Sequence, residues 1–252
     1  MKSKWFFFRG LVRESGHWNG FLEKFAARFP VEVHAMDLPG SGKYFQENCP
    51  TSVEAMVERL RVDFLKLKGE KNFLFCLSLG AMTGIQWTKM YPDFSGGVFI
   101  NSSVRGLSPF YRRLQWPNYG KILGTLISSN QAYREETILN LTTNKHQNDS
   151  KIIEHWVEIQ KARPVSRANA IRQLRAAISF SPPAQINLPK SLVLTGMGDR
   201  LVHPSCSEAL ARHWGLPLRA HPDAGHDLTL DAPEWVLDQV EEFFKKEIFD
   251  KN

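Results

Sequence analysis

The chain has 252 residues, of which 42% are hydrophobic and 12% aromatic; that suits one α/β domain, or a core with a modest insertion, and excludes a mainly disordered chain. Its net charge of +6 is unevenly placed, because 12 of the 32 Lys/Arg but 5 of the 26 Asp/Glu lie between Val104 and Gln185. That excess is either a solvated surface or a patch steering an anionic substrate or partner, and no zinc-finger spacing, RNP-like motif or basic recognition helix makes it a nucleic-acid reader.

From the N-terminus, Trp5-Phe6-Phe7-Phe8 is too short for a secretory signal core and runs into Arg9; it reads as a buried strand. Further strands are predicted at Val31–Met36, Asn72–Leu77, Gly97–Asn101, Lys190–Thr195 and Pro217–His221, mostly continuous apolar runs suited to burial on both faces. Thr51-Ser52-Val53-Glu54 fits a capping box opening a helix to about Leu67. Gly80 to Met90 forms another, stopped by Tyr91-Pro92, and the last helix begins near Asp231 with Pro233 in its first turn. Between Val104 and Ile186 the pattern is helical only, broken at Pro109, Pro117, Pro164 and Pro182-Pro183. The reading is a doubly wound, mostly parallel sheet of about six strands, with core segments 1–103 and 187–252 and a helical cap at 104–186 over the carboxyl ends of the strands. Cys49, Cys76 and Cys206 lack metal-ligand spacing, and no H-E-x-x-H occurs. No stretch reaches the ~20 apolar residues of a membrane span. The expectation is a soluble cytoplasmic protein using no metal or other cofactor.

Three loops carry chemistry. In Phe73-Leu74-Phe75-Cys76-Leu77-Ser78-Leu79-Gly80, an apolar strand ends in a serine and a helix follows at once. This is the context of a nucleophile elbow, with Gly80 where the tight turn needs a small residue and Cys76 where glycine is usual. Asp199 follows the strand Leu192–Thr195 in a glycine-flexed loop, and His226 follows the last strand in Ala224-Gly225-His226. Each alone has a bland reading, as a strand–turn–helix serine, a helix cap and a surface imidazole. Together they stand in the order nucleophile, acid, base, each beyond a different strand. Ser78 would attack, His226 would take its proton, and Asp199 would orient the imidazole. Asp223 and Asp227 are rival acids, but lie too close in sequence to reach the far ring nitrogen easily. The oxyanion donors would be the backbone N–H groups of Leu79 and of Leu11, beside Gly10.

On these residues the sequence resembles the α/β-hydrolase superfamily nearly end to end. Within it, the sequence is similar to compact serine esterases such as the pimeloyl-acyl-carrier-protein methyl ester esterase. Arg9-Gly10 through Trp18, Asp37-Leu38-Pro39-Gly40-Ser41-Gly42 and Leu77-Ser78-Leu79-Gly80 carry the likeness. It implies the α/β-hydrolase fold, catalytic roles for Ser78, Asp199 and His226, and Leu11, Trp18 and Leu79 at the substrate. Arg9 stands where the family has histidine, and the two leading strands of the family are expected to be missing. The predicted helix Ser166–Phe180 places Ile171, Leu174 and Ile178 on one stripe and Arg172 and Arg175 on a neighbouring face. With Arg163 and Arg167 these are either solvent-facing charges or, as the resemblance suggests, contacts for an acidic acyl-carrier protein. The implied activity is hydrolysis of a small or medium carboxylic ester, with a thioester open. A C–C bond hydrolase or lyase-like relative on the same triad, and a non-catalytic binding protein on the same scaffold, are the alternatives.

Overall fold

The computed structural model describes residues 3–187 and 190–249. Six strands, β1 (Lys4–Phe8), β2 (Glu32–Met36), β3 (Asn72–Leu77), β4 (Gly96–Ile100), β5 (Lys190–Gly196) and β6 (Leu218–His221), form one sheet in the order β2-β1-β3-β4-β5-β6. Every neighbouring pair is parallel. Each predicted strand lies within a residue of an observed one.

The two-residue period of a strand splits β1 between two cores. Phe6 and Phe8 point to the face that holds Leu74, Cys76, Phe99 and Val193. Trp5 and Phe7 point to the other, with Phe73, Phe75, Val98 and Leu192. Phe7 stacks on Phe75 with ring centroids 4.6 Å apart. Helices cover both faces: α1 (Phe21–Arg28) brings Phe21 and Phe25 to the second core, while α2 (Val53–Leu67) brings Val53, Val57, Leu60 and Phe64 to the first. The cap of α2 is Ser52, whose hydroxyl accepts from Ala55 N–H at 3.3 Å, one residue later than the expected Thr51.

After β4 the chain runs through α4 (Phe110–Arg113), α5 (Tyr119–Ile127), α6 (Gln131–Thr142), α7 (Ser150–Ala162) and α8 (Arg167–Ser179) before it returns to β5. This agrees with the all-helical reading of the segment, but α8 is turned otherwise than its hydropathy suggests. Ile171 and Ile178 are exposed, and the buried face is Asn169, Ala170, Gln173 and Ala176. Its polar groups are spent on loops of the core. Asn169 Oδ1 accepts from Cys49 N–H at 2.9 Å, and its amide donates to Glu47 O. Gln173 Oε1 accepts from Val12 N–H at 2.8 Å while Nε2 donates to Pro39 O and to Ser41 Oγ. A buried amide with partners on both ends replaces backbone–water bonds that the loops lose on burial.

Gln173→Leu keeps the volume and strands those loop groups, so it is expected to cost about 1–3 kcal/mol of stability. Denaturant unfolding checks this; an unchanged midpoint would remove Gln173 as the latch between α8 and the core.

Candidate active site

β3 passes into helix α3 (Leu79–Met90) through Ser78 alone, held at φ 58° and ψ −116°. A non-glycine residue in that region stores on the order of 1–3 kcal/mol of strain. Its surroundings hold it there. Ser78 N–H donates to Ile100 O at 2.9 Å, and Ser78 O accepts from Ser102 Oγ at 2.9 Å. Gly80 is obligatory: a Cβ there would lie 2.3 Å from Phe8 O. On the other flank Cys76 fits because Gly84 faces it, and a Cβ at 84 would sit 2.8 Å from its sulfur. Burial raises the Cys76 thiol well above its usual range, which makes it inert filling.

The acid and the imidazole meet. Asp199 Oδ2 lies 2.7 Å from His226 Nδ1, and both side chains are buried. The other oxygen, Oδ1, accepts from Leu201 and Val202 N–H at 2.8 and 2.9 Å, so the carboxylate cannot swing away. Ser78 and His226 line the same cavity, of about 560 Å³. Among the described residues no hydrogen bond joins Ser78 Oγ to the ring, a contact that often closes only around substrate. Leu11 and Leu79 also line that cavity, and among the described residues neither backbone N–H has a protein acceptor. Gly10 lets the first loop pass close over the serine, with a Cβ there 3.1 Å from Ser78 Cβ.

Asn101 does work that the sequence reading did not assign. It ends β4 at φ 45°, accepts from Gly196 N–H at 3.0 Å, and donates to Gly225 O and His226 O at 3.1 and 2.8 Å. It thereby ties the loop of the acid to the loop of the base. A polar residue closing an apolar strand was the available signal.

Of the rival acids, Asp223 is exposed, and Asp227 is engaged elsewhere. Arg9 Nη2 meets Asp227 Oδ2 at 2.6 Å, and Thr229 Oγ1 donates to its other oxygen. Burial alone would push Asp227 upward; the Arg9 charge and these hydrogen bonds outweigh it and hold it below its ordinary value. Trp18 is a correction. It does not line the cavity but lies beneath Arg9, 4.7 Å from the guanidinium, in the core with Phe7 and Phe75. The short 3-10 turn at Ser15–Trp18 carries it inward. The four surface arginines are mostly engaged as well. Arg163 pairs with buried Glu14, Arg167 donates to Ile127 O at 2.7 Å, and Arg172 to Cys49 O at 3.4 Å, while Arg175 is exposed. Among the described residues there is no cluster of metal-ligating side chains, and no helix long and apolar enough to cross a membrane.

Because Asp227 is depressed in the fold, its contribution is complete above the unfolded carboxylate value near pH 4 and is lost as pH falls through the lower folded value. Asp227→Asn leaves Arg9 buried without a countercharge and is expected to cost about 3–5 kcal/mol near neutrality. Urea unfolding across acid pH should show a shallower acid limb than in the parent chain; two parallel curves would refute the pairing.

No curated protein matches this sequence. Solved structures similar to it include a candidate non-heme bromoperoxidase, BpoC, of Mycobacterium tuberculosis (19% identity, 97% of this chain and 92% of that one, TM-score 0.76). A thermophilic esterase of Thermogutta terrifontis is similar at 20% identity, over 98% of this chain and 90% of that one, with a TM-score of 0.73. A candidate lipase of Acinetobacter baumannii follows at 21%, over 97% and 84%, with a TM-score of 0.75. At such identities these structures share the fold, and it is the sequence match over residues 6–239 that fixes the kinship: the chain belongs to the alpha/beta hydrolase family.

Proposed function

We propose that the protein is a serine esterase that hydrolyses carboxylic esters, thioesters included, of small or medium acyl groups. The observation that carries this is the 2.7 Å contact between Asp199 and His226, opening on the cavity that Ser78 also lines. In the proposed reaction Ser78 Oγ attacks the ester carbon as His226 Nε2 takes its proton, and Asp199 stabilises the imidazolium through Nδ1–H. The N–H groups of Leu11 and Leu79 receive the oxyanion; such a donor is worth about 3–4 kcal/mol of barrier. Collapse of the tetrahedral intermediate releases the alcohol, which takes the proton from His226 and leaves an acyl group on Ser78. Water, deprotonated by His226, then attacks the acyl carbon, and the acid departs as the proton returns to Ser78.

The helices of 104–186 would act as the cap over this cavity, since α4, α5, α6 and α8 all contribute to its wall. An acyl-carrier protein as donor of the acyl group is a finer proposal, taken from the pimeloyl-esterase likeness. Of the four arginines suggested for that contact, three are bonded within the chain, which leaves Arg175 as its main support. A cytoplasmic setting belongs to the same proposal, and the three buried, unpaired cysteines accord with it.

A fluorophosphonate probe should label the protein, and Ser78→Ala should abolish labelling. Ser78→Ala should also lower ester turnover by ~10⁴-fold or more. Asp199→Asn, which favours the wrong tautomer, should lower kcat by ~10³–10⁴-fold. Parent protein that neither labels nor cleaves any of a chain-length series of p-nitrophenyl esters would favour a binding protein on this scaffold.

A further inference from the structure

The cavity wall is mainly apolar, with Leu77, Met82, Ile122, Leu126 and Ile138 among its residues, yet four arginines line it: Arg9, Arg13, Arg113 and Arg134. Among the described residues its one carboxylate, that of Asp227, is already held by Arg9. The Arg113 guanidinium donates to Ala177 O and Ile178 O and has no acidic partner among the described residues.

Arg13 and Arg134 differ from these two. The Arg13 side chain is 6% exposed and lies 4.5 Å over the Trp156 ring, with Nη1 bonded to Glu135 Oε2 at 2.6 Å and to His17 Nε2 at 2.9 Å. Its second terminal nitrogen, Nη2, is buried and has no acceptor. Neighbouring His17 adds no positive charge: burial first, then the Arg13 and Arg9 charges, push it well below its ordinary value. From α6, Arg134 faces the same cavity on the stripe of Ile138, Leu141 and Thr142; its Nε is likewise buried without an acceptor, and no carboxylate pairs with it among the described residues. Arg134 thus brings a charge without a countercharge to a largely apolar cavity, and a ligand oxyanion is the group that complements it.

The geometry points to an anion subsite within the cavity, centred on Arg134, that selects esters whose acyl chain ends in a carboxylate. The assignment deepens the proposed esterase reading and rests on it for the word ester. A planar carboxylate matches the guanidinium fork, and the largely apolar lining that the cavity shares with Ser78 suits a run of methylenes. A cavity lined by an arginine without a countercharge discriminates against the analogue lacking a carboxylate, because the charge then stays uncompensated.

The test compares monomethyl succinate, adipate and suberate with methyl esters of uncharged acids of equal length. At the matching length the carboxylate ester is expected to have the higher kcat/KM, by about tenfold or more. Arg134→Met, which breaks no ion pair, should reduce that ratio about tenfold, and Arg134→Lys should restore part of it. Preference for the uncharged ester at every length would overturn the subsite. Calorimetric titration of adipate into Ser78→Ala protein reads the subsite without turnover: binding weakened by adding Arg134→Met supports it, and no binding overturns it. Should no ester be cleaved while adipate still binds through Arg134, the esterase reading fails and the anion subsite stands. Tighter binding of hexyl phosphate than of adipate would overturn the carboxylate assignment.

Discussion

The first turn of α3 lies directly against the end of β1, and the geometry of the candidate site depends on that contact. With Phe8 O only 2.3 Å from where a Cβ of residue 80 would sit, the helix can begin there only with glycine. Its approach leaves one residue to turn the chain from strand to helix, and that residue is Ser78 at positive φ. The strain is held by bonds reaching outward to β4 and its loop, at Ile100 O and Ser102 Oγ, so the sheet rather than the turn supports the serine. Cys76 shows how far such a turn tolerates change: the bulk added on one flank is matched by Gly84 one helix turn further on.

The other two loops are registered by polar groups at their backbones. Asn101 bonds at once to Gly196, Gly225 and His226, so the distance from acid to base is set at the end of β4. Asp231 extends the same frame to the helical segment, accepting from Gly225 N–H at 2.7 Å and from Asn144 N–H at 2.9 Å. Amide and carboxylate groups suit this work because one side chain can serve several buried backbone groups whose water has been removed.

The fold was legible because buried parallel strands are written as unbroken apolar runs, and Trp5–Phe8 or Phe73–Leu77 admit few other readings. Ser78, Asp199 and His226, the proposed triad, stood out for a related reason, since each follows a predicted strand. What escaped was set by contacts between distant segments. Hydropathy put Ile171 and Ile178 on one apolar stripe of α8, whereas both are exposed and the buried side carries two amides bonded to loops more than 100 residues away. Trp18 was expected at the substrate, but a four-residue 3-10 turn sends it into the core. The pairing of Arg9 with Asp227 spans 218 positions, and no local pattern encodes it.

Those long-range pairs share a purpose that follows from where they attach. Within six residues, Arg9 pairs with Asp227 beside His226, the proposed base, Arg13 with Glu135 on α6, and Glu14 with Arg163 after α7. Buried ion pairs add little net stability, since desolvation consumes most of the attraction, yet breaking one is expensive. The two buried pairs on this short loop, with the partly exposed Glu14–Arg163 pair beside them, therefore act mainly as position constraints. Between them sit Gly10, Leu11 and Val12, with Val12 at φ 60° and its N–H taken by Gln173. The Leu11 N–H, the one proposed to meet the oxyanion, is thus framed by a charge pair on each side and an amide bond next to it. Arginine at position 9 keeps this frame closed, because its counterion Asp227 is drawn from the loop that carries His226.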